Sequence, residues 1–166
     1  MKPFRAARGG DVVGRLEPAE AGVVGLLLDQ LEQLLEADAD DVGGDPVIAR
    51  LLPDGHRGDP EVASDYRELT EASLRSGKAD DLATVRAGLP ESGGEVRLDP
   101  DQAAAWLRTT NDLRLALGTR LEISEDTEPP EEITGDEGQQ LAVYYWLTAL
   151  QGSLVDAVAA ARDARR

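Results

Sequence analysis

The chain has 166 residues, a formal net charge of −16 and no cysteine. Its length fits one domain, and the lack of cysteine excludes disulfides, thiolate nucleophiles and cysteine-ligated zinc. A field of this sign repels phosphate groups, which argues against nucleic acid as the main partner.

The first sixteen residues predict a basic β-hairpin. Residues 4–7 and 12–16 flank a turn of sequence GGD, which is typical of two short antiparallel strands. Two strands alone are only marginally stable, so we expect the hairpin to lie on helices or to gain a third strand, best placed at 95–98. The segment has a net charge of +3, because its one acidic residue is outnumbered by Lys2, Arg5, Arg8 and Arg15.

Four helix starts share one signal, a carboxylate followed by a proline, at Glu17-Pro18, Asp45-Pro46, Asp59-Pro60 and Asp99-Pro100. Proline suits the first helical position because its missing N–H would have no partner there, and the preceding carboxylate accepts from free amides of the first turn. Together with the apolar periodicity, this signal predicts helices at about 18–37, 46–52, 60–76, 78–89, 100–121 and 136–163.

Three of these helices carry an apolar stripe. The stripe of the last helix recurs at helical spacing through Val143, Leu147, Leu150, Leu154 and Val158, and Tyr144, Trp146 and Ala149 widen it. Similar stripes run through 18–37 and 100–121. In the latter, the missing side chain of Gly118 predicts the close approach of another backbone.

We therefore predict a mainly α, single-domain helical bundle around a buried C-terminal helix, with the small β-hairpin, or a three-stranded antiparallel sheet, at its N-terminus. Residues 1–16 form the hairpin and 17–166 the bundle of one domain, 1–166. Acidic loops near 36–45 and 122–138 are expected to be solvated and mobile. The N-terminus lacks the apolar run of a signal peptide, which predicts a cytoplasmic protein.

Several signals of catalytic, metal or DNA chemistry are weak. The acidic stretch from Asp38 lacks an oxygen ligand at two calcium-loop positions, Val42 and Ala49. The single histidine, His56, has neither a cysteine nor a second histidine for a zinc site. Residues 60–89 resemble a helix-turn-helix at Gly77 only loosely, because acidic residues outnumber basic ones there. We therefore predict no cofactor, no metal, no enzyme activity and no direct DNA binding.

A polar cluster at 108–120 is the second candidate surface. Arg108 and Asp112 have the spacing of an ion pair on one helix face. The cluster is either a salt-bridged outer face, a tether between the helix and the hairpin, or a face that binds a partner protein, since arginine is enriched in interface cores. The candidate partner-binding residues are thus Arg5, Arg8 and Arg15 of the hairpin, and Asn111, Arg114 and Arg120 of the helix.

Four segments together resemble one family: FRAARGGDVVGRLEPAEA, DYRELTEASLR followed by DLATV, AWLRTTNDLRLALGTRLEI and LAVYYWLTALQGSLVDA. They look like an actinobacterial family of formerly unknown function whose named member is the oxidative stress regulator AosR. The resemblance covers nearly the whole chain, and 106–123 and 144–146 are its most specific parts. It implies a mostly helical cytoplasmic regulator of transcription that senses oxidation through a cysteine pair and works with a sigma factor.

The sensing half of that role does not carry over, because this sequence has no cysteine and Met1 holds its only sulfur. No functional residue of the family is transferred. The sequence therefore favours a non-enzymatic regulatory protein that binds a protein partner, such as a sigma factor or another transcription component. An uncharacterised enzyme or small-ligand-binding domain is the alternative, and it predicts a deep pocket with convergent polar groups. A homo-oligomer formed through an apolar helix face is the third hypothesis.

Overall fold

A computed structural model of the chain describes residues 2–36, 46–51, 60–129 and 132–164. Within these ranges the chain forms three strands and five helices: β1 Lys2–Ala6, β2 Val12–Leu16, α1 Pro18–Glu36, α2 Pro46–Leu51, α3 Pro60–Gly88, β3 Gly94–Leu98, α4 Pro100–Arg120 and α5 Gly135–Ala164. Four of the helices begin at the prolines that the sequence marked. The prediction of a mainly α fold with a small N-terminal sheet is confirmed.

The sheet is antiparallel in the order β1-β2-β3. A single 3₁₀ turn, Arg8–Gly10, joins the first two strands, and the pairing of β1 with β2 is irregular between Lys2 and Arg5. The third strand therefore comes from the segment just before α4, as predicted, and it gives the hairpin the partner that two strands in water need.

Helix α4 is central and contacts α1, α2, α3 and α5. It begins with a capping box, in which Asp99 Oδ1 accepts from the Gln102 amide at 2.8 Å and the Asp99 amide donates to Gln102 Oε1 at 2.9 Å. Trp106, the largest fully buried side chain, is 1% exposed in the core. Helices on both sides of α4 bury their apolar stripes against this core.

Helix α5 packs against β1 and α4, which confirms that the C-terminal helix lies against the rest of the fold. Its buried stripe is Leu147, Leu150, Leu154, Ala157 and Ala161. The predicted stripe ran through Val143 and Val158, which are half-buried, and the expected widening at Ala149 is wrong because that residue is exposed. The helix therefore keeps one face in solvent.

Two local predictions are wrong. Helix α3 runs without a break through Gly77, so the two predicted helices, 60–76 and 78–89, are one. Leu82 and Val85, which are buried, fix its C-terminal half to the core and outweigh the cost of one glycine, about 1 kcal/mol. At Gly118, the neighbour is the ring of Tyr144, since a Cβ there would lie 3.0 Å from Tyr144 Cε2. The close approach is made by an aromatic side chain and not by a backbone.

The two predicted acidic loops differ in what the structure describes. Residues 37–45, with the calcium-like stretch from Asp38, lie outside the described residues, as does His56. The other loop is acidic and largely exposed where it is described, but it forms hydrogen-bonded turns: the Ile123 amide donates to Gly118 O at 2.9 Å, and the Tyr145 hydroxyl donates to Thr127 O at 3.0 Å. Residues 121–127 are thereby joined to α4 and α5.

Candidate functional site

The face of the sheet opposite the buried Phe4, Val96 and Leu98 is basic around the buried Val13. Strand pairing places Lys2 opposite Arg15 and Arg5 opposite Val13, and on the other side Val13 opposite Arg97 and Arg15 opposite Glu95. Paired residues of neighbouring strands project to the same face. Four cationic side chains and one carboxylate therefore share this face, which we call the outer face: Lys2, Arg5, Arg15, Arg97 and Glu95.

The inner face of the same sheet is apolar and fixed to the helices. Phe4 packs on Trp106 with ring centroids 6.1 Å apart, and Gly14 leaves room for its ring, since a Cβ at Gly14 would lie 2.9 Å from Phe4 Cγ. The Phe4 amide also donates to the Ser153 hydroxyl at 2.6 Å. The basic side chains are thus displayed on strands that are anchored to α4 and α5.

Two surface depressions divide the basic residues of the hairpin. The larger, of about 730 Å³, lies at the turn end and is lined by Arg5, Ala6, Ala7, Arg8, Gly9, Gly10, Arg97 and Ala164. We call it the turn-end depression. A second, of about 320 Å³, lies at the opposite end of β2 and is lined by Lys2, Arg15, Leu16, Glu17, Pro18, Ser92, Gly93 and Gly94. The sequence grouped three arginines of the hairpin, and the structure separates Arg15 from the other two.

The hairpin arginines are exposed. Among the residues that the structure describes, neither Arg5 nor Arg8 nor Arg15 forms an ion pair or side-chain hydrogen bond. Arg97 has only long contacts, 3.4 Å from its NH1 to Asp11 Oδ2 and 3.9 Å from its Nε to Glu95 Oε1. These guanidinium groups keep most of their donors available to a ligand.

Sequence reasoning did not include Arg97 among the candidate residues. A signal was present: 95–98 was expected to be the third strand, and the alternation of β3 places Arg97 on the side opposite the buried Val96 and Leu98. Pairing with β2 then brings it into register with Val13. The missing information was the register of two strands that are far apart in sequence.

The second candidate group, on α4, lies at the junction with α5. Arg114 donates from Nε to Thr148 Oγ1 at 3.0 Å and from NH1 to Gln151 Oε1 at 2.6 Å, and its guanidinium lies 5.7 Å from the ring centroid of Tyr144. Asn111 Oδ1 accepts from Gln151 Nε2 at 3.3 Å. The structure thus places Asn111 and Arg114 in a tether between helices.

Arg120, the third residue of that group, is exposed at the end of α4. It borders a narrow cleft between α1 and α4 with Leu27, Leu34 and Leu117 among its lining. The structure therefore does not join the three α4 residues in one accessible surface. Binding of a partner by this group stays a prediction.

The predicted pair of Arg108 with Asp112 is replaced by two contacts between α3 and α4. Arg108 donates from Nε and NH2 to the Asp81 carboxylate at 2.8 and 2.9 Å, and Lys78 Nζ donates to both oxygens of Asp112 at 2.8 and 2.9 Å. Arg108 and Asp112 do have the spacing of a pair on one helix, but each of them pairs instead with an opposite charge on the facing helix α3. Burial raises the pKa of the Asp112 carboxyl above its ordinary value, and Asp81 adds to this, while Lys78 opposes it.

These charges surround a shallow depression of about 460 Å³ lined by Ser73, Leu74, Gly77, Lys78, Asp81, Arg108, Asn111 and Asp112. The hypothesis of an enzyme or ligand-binding domain predicted convergent polar groups in a deep pocket. Here the two carboxylates already accept from Lys78 and Arg108. Within the described ranges, no group of three or more His, Asp or Glu side chains is placed to hold a metal ion. No helix in those ranges has the length and apolar character needed to cross a membrane.

Comparisons with known proteins point to one family. A family model described as domain of unknown function (DUF2017) matches residues 1–158. A protein of Mycobacterium tuberculosis (strain ATCC 25618 / H37Rv) named oxidative stress regulator AosR is 37% identical over 127 residues, which cover 68% of this chain and 57% of that protein. A protein of Mycobacterium leprae named putative oxidative stress regulator AosR is 34% identical over 184 residues, 95% of this chain and 83% of its own length.

The coverage is unequal between these relatives. The chain spans 57% of the length of the relative from Mycobacterium tuberculosis and of the identically named protein of Mycobacterium bovis. No solved structure matches the chain.

Proposed function

We propose that this chain, which belongs to the DUF2017 family, is a non-enzymatic regulatory protein of the oxidative stress response that acts by binding a protein partner. Its similarity to proteins named oxidative stress regulators supports this proposal. The family resemblance seen in the sequence is confirmed. A cytoplasmic location belongs to this proposal, since a transcription component such as a sigma factor is the partner that the resemblance implies.

The observation that carries the proposal is the basic outer face on a strongly acidic chain. Its cationic residues are exposed, and the core on the other side of the sheet holds the strands in place. Arginine is enriched in protein interfaces, and its planar guanidinium matches a carboxylate in a two-point contact. A surface of exposed arginines therefore favours a role in binding another protein over a role in catalysis.

The absence of cysteine from these 166 residues sets a limit on the mechanism. A disulfide cannot form within the chain, so oxidation of its own thiols is not the signal. In our proposal, the chain contributes binding, and any redox signal reaches it through the partner or through the amount of either protein. Regulation then depends on an equilibrium between free and bound chain.

Affinity capture from a lysate of the source organism, grown with and without peroxide, tests this function. The tagged wild type is compared with an Arg5→Gln, Arg8→Gln, Arg15→Gln variant and with a control that removes equal charge elsewhere, Arg50→Gln, Arg108→Gln, Arg162→Gln. All six arginines are exposed. We expect the wild type and the control to enrich the same transcription component and the hairpin variant to lose it.

Identical partner lists for all three proteins would remove the hairpin as the docking surface. Recovery of no partner by the wild type, or conversion of a small molecule by the purified chain, would contradict the proposed function. The Arg120→Gln change alone serves as a separate test of the α4 surface, because Asn111 and Arg114 cannot be changed without disturbing the contacts between α4 and α5.

A further inference from the structure

The turn-end depression is strongly cationic. Three arginines line it, Arg5 from β1, Arg8 from the 3₁₀ turn and Arg97 from β3, and no acidic residue is part of the lining. The remaining lining residues are alanines and glycines. Small side chains leave the concave floor open, so a ligand can reach the three guanidinium groups.

The depression at the other end of the sheet is less suited to an anion. Its two cations, Lys2 and Arg15, share the lining with Glu17, and Arg15 lies opposite Glu95 in the strand pairing. At the turn end, the lining itself has no carboxylate, and Arg97 has two long contacts to carboxylates beside it, 3.4 Å from NH1 to Asp11 Oδ2 and 3.9 Å from Nε to Glu95 Oε1. Arg5 and Arg8 have no counter-charge among the described residues.

We infer that the turn-end depression binds the carboxylate groups of an acidic, extended segment of a partner protein. This inference rests on the proposed function and names the chemistry of the partner. Arg5 lies on β1 and Arg97 on β3, the two edge strands, and both pair with Val13 of the central strand. Their backbones are therefore separated by two strand spacings, about 10 Å. Alternate side chains of an extended peptide are about 7 Å apart, within the reach of two long arginine side chains that flank such a peptide.

The net charge of the chain distinguishes a peptide from a nucleic acid. Duplex DNA carries one negative charge per about 1.7 Å of its axis, and a chain with a net charge of −16 repels such a polymer along its whole length. A short acidic segment brings only a few charges, which the depression contacts locally. The complementarity therefore favours a carboxylate-rich peptide over a phosphate backbone.

Fluorescence anisotropy with a labelled oligoglutamate peptide tests the inference on the full chain. The probes for comparison are an oligoglutamine peptide of equal length and a short DNA duplex. The depression variant is Arg5→Gln, Arg8→Gln, Arg97→Gln, and its matched control is Arg50→Gln, Arg108→Gln, Arg162→Gln, which removes the same charge from exposed positions outside the depression. Circular dichroism establishes that every variant is folded.

We expect the wild type to bind oligoglutamate and not oligoglutamine, with an affinity that falls as salt is added. The depression variant should bind oligoglutamate roughly tenfold more weakly, and the matched control within about twofold of the wild type. Equal loss in both variants would show a diffuse charge effect and overturn the inference. Tighter binding of the DNA duplex than of oligoglutamate, or arginine-dependent self-association in light scattering, would also overturn it.

The two proposals fail in different ways. If the wild type captures a transcription component from lysate and the depression variant captures it equally well, the inference is wrong and the proposed function stands. If the depression binds oligoglutamate but the wild type captures no protein, the inference stands for the peptide chemistry and the proposed function is wrong.

Discussion

Lys78 Nζ lies 2.8 Å from Asp112 Oδ1, in an ion pair that joins α3 to α4. The side chains are 19% and 9% exposed, so the pair is among the most buried charged contacts that the structure describes. Next to it, Arg108 and Asp81 form a more exposed pair between the same helices. The sequence left open whether Arg108 and Asp112 form a salt-bridged helix surface, a tether or a docking face, and the structure places both in a junction between helices.

Replacement of Lys78 by alanine should destabilise the fold because it leaves the Asp112 carboxylate buried without a counter-ion. We expect a loss of about 2 kcal/mol in the free energy of unfolding, less than the roughly 3–5 kcal/mol of a fully buried pair, since water reaches Lys78. Urea unfolding followed by tryptophan fluorescence measures this change. The Lys78→Met, Asp112→Leu double variant should recover most of the loss, because neither charge remains buried.

Arg108→Ala is the matched control for that experiment. The Arg108 side chain is 61% exposed, and an exposed pair contributes at most about 1 kcal/mol. A loss for Arg108→Ala as large as that for Lys78→Ala would mean that the burial of Asp112 does not decide the energetics of this junction.

Gly77→Ala should stabilise the protein. Gly77 lies inside the continuous helix α3, and a Cβ added there would meet no neighbouring side chain within 4 Å. Alanine is favoured over glycine in a helix interior by about 1 kcal/mol. A rise in the thermal midpoint would be the expected result. In a helix-turn-helix, glycine at the turn would adopt a positive φ and alanine would be destabilising, so a fall in the midpoint would contradict the continuous helix.

Gly118→Ala makes the same chemical change in α4 and should have the opposite effect. The added Cβ would lie 3.0 Å from Tyr144 Cε2, and the ring of Tyr144 is held by an edge contact with Tyr145 at 5.4 Å. Overpacking of this kind costs roughly 1–3 kcal/mol, which exceeds the gain in helix propensity. If both glycine variants raise the thermal midpoint, Tyr144 is free to move.

Local signals explain why the elements were predictable from the sequence. A proline at the first helical position and a capping box such as that of Asp99 with Gln102 depend only on neighbours along the chain. The alternation in β3 and the leucine stripe of α5 are likewise read from short windows. The helix starts and the third strand followed directly from them.

The candidate site depended on contacts between distant residues, which no local window contains. Arg97 joins Arg5 only through the register of three strands. Nothing in the sequence around Arg114 distinguishes it from a surface arginine, yet Gln151 and Thr148 of α5 accept its hydrogen bonds. The sequence therefore identified which residues are polar and charged, but the packing of α3, α4 and α5 decided which of them stay available.

Gly14→Ala should destabilise the sheet because Phe4 occupies the space of the new Cβ. That carbon would lie 2.9 Å from Phe4 Cγ, and Phe4 is 5% exposed against Trp106. We expect a loss of about 2 kcal/mol in the free energy of unfolding. Combining Gly14→Ala with Phe4→Leu should cost less than the sum of the two changes, because the smaller side chain makes room. Strict additivity would show that the two residues do not compete for space.

Glu20 should make stability depend on pH with a definite sign. Burial raises the pKa of its carboxyl, but hydrogen bonds lower it further, among them those from the Glu17 amide at 2.7 Å and the Trp146 indole at 2.9 Å, so the pKa lies below its ordinary value. A lowered pKa in the folded state means that the unfolded state binds the proton more readily. The stabilisation from Glu20 is therefore complete above the ordinary glutamate value, about 4.3, and is lost as the pH falls through the lower pKa of the folded state.

Comparison of the wild type with Glu20→Gln isolates this effect, because glutamine keeps the shape of the side chain and does not titrate. We expect the wild type to be more stable at neutral pH and the difference to close at acid pH in urea unfolding. The raised pKa of Asp112 acts in the opposite direction, but it is present in both proteins and cancels in the difference. A gap that stays constant or widens on acidification would show that the contact of Glu20 with Trp146, which links α1 to α5, does not favour the ionised carboxylate.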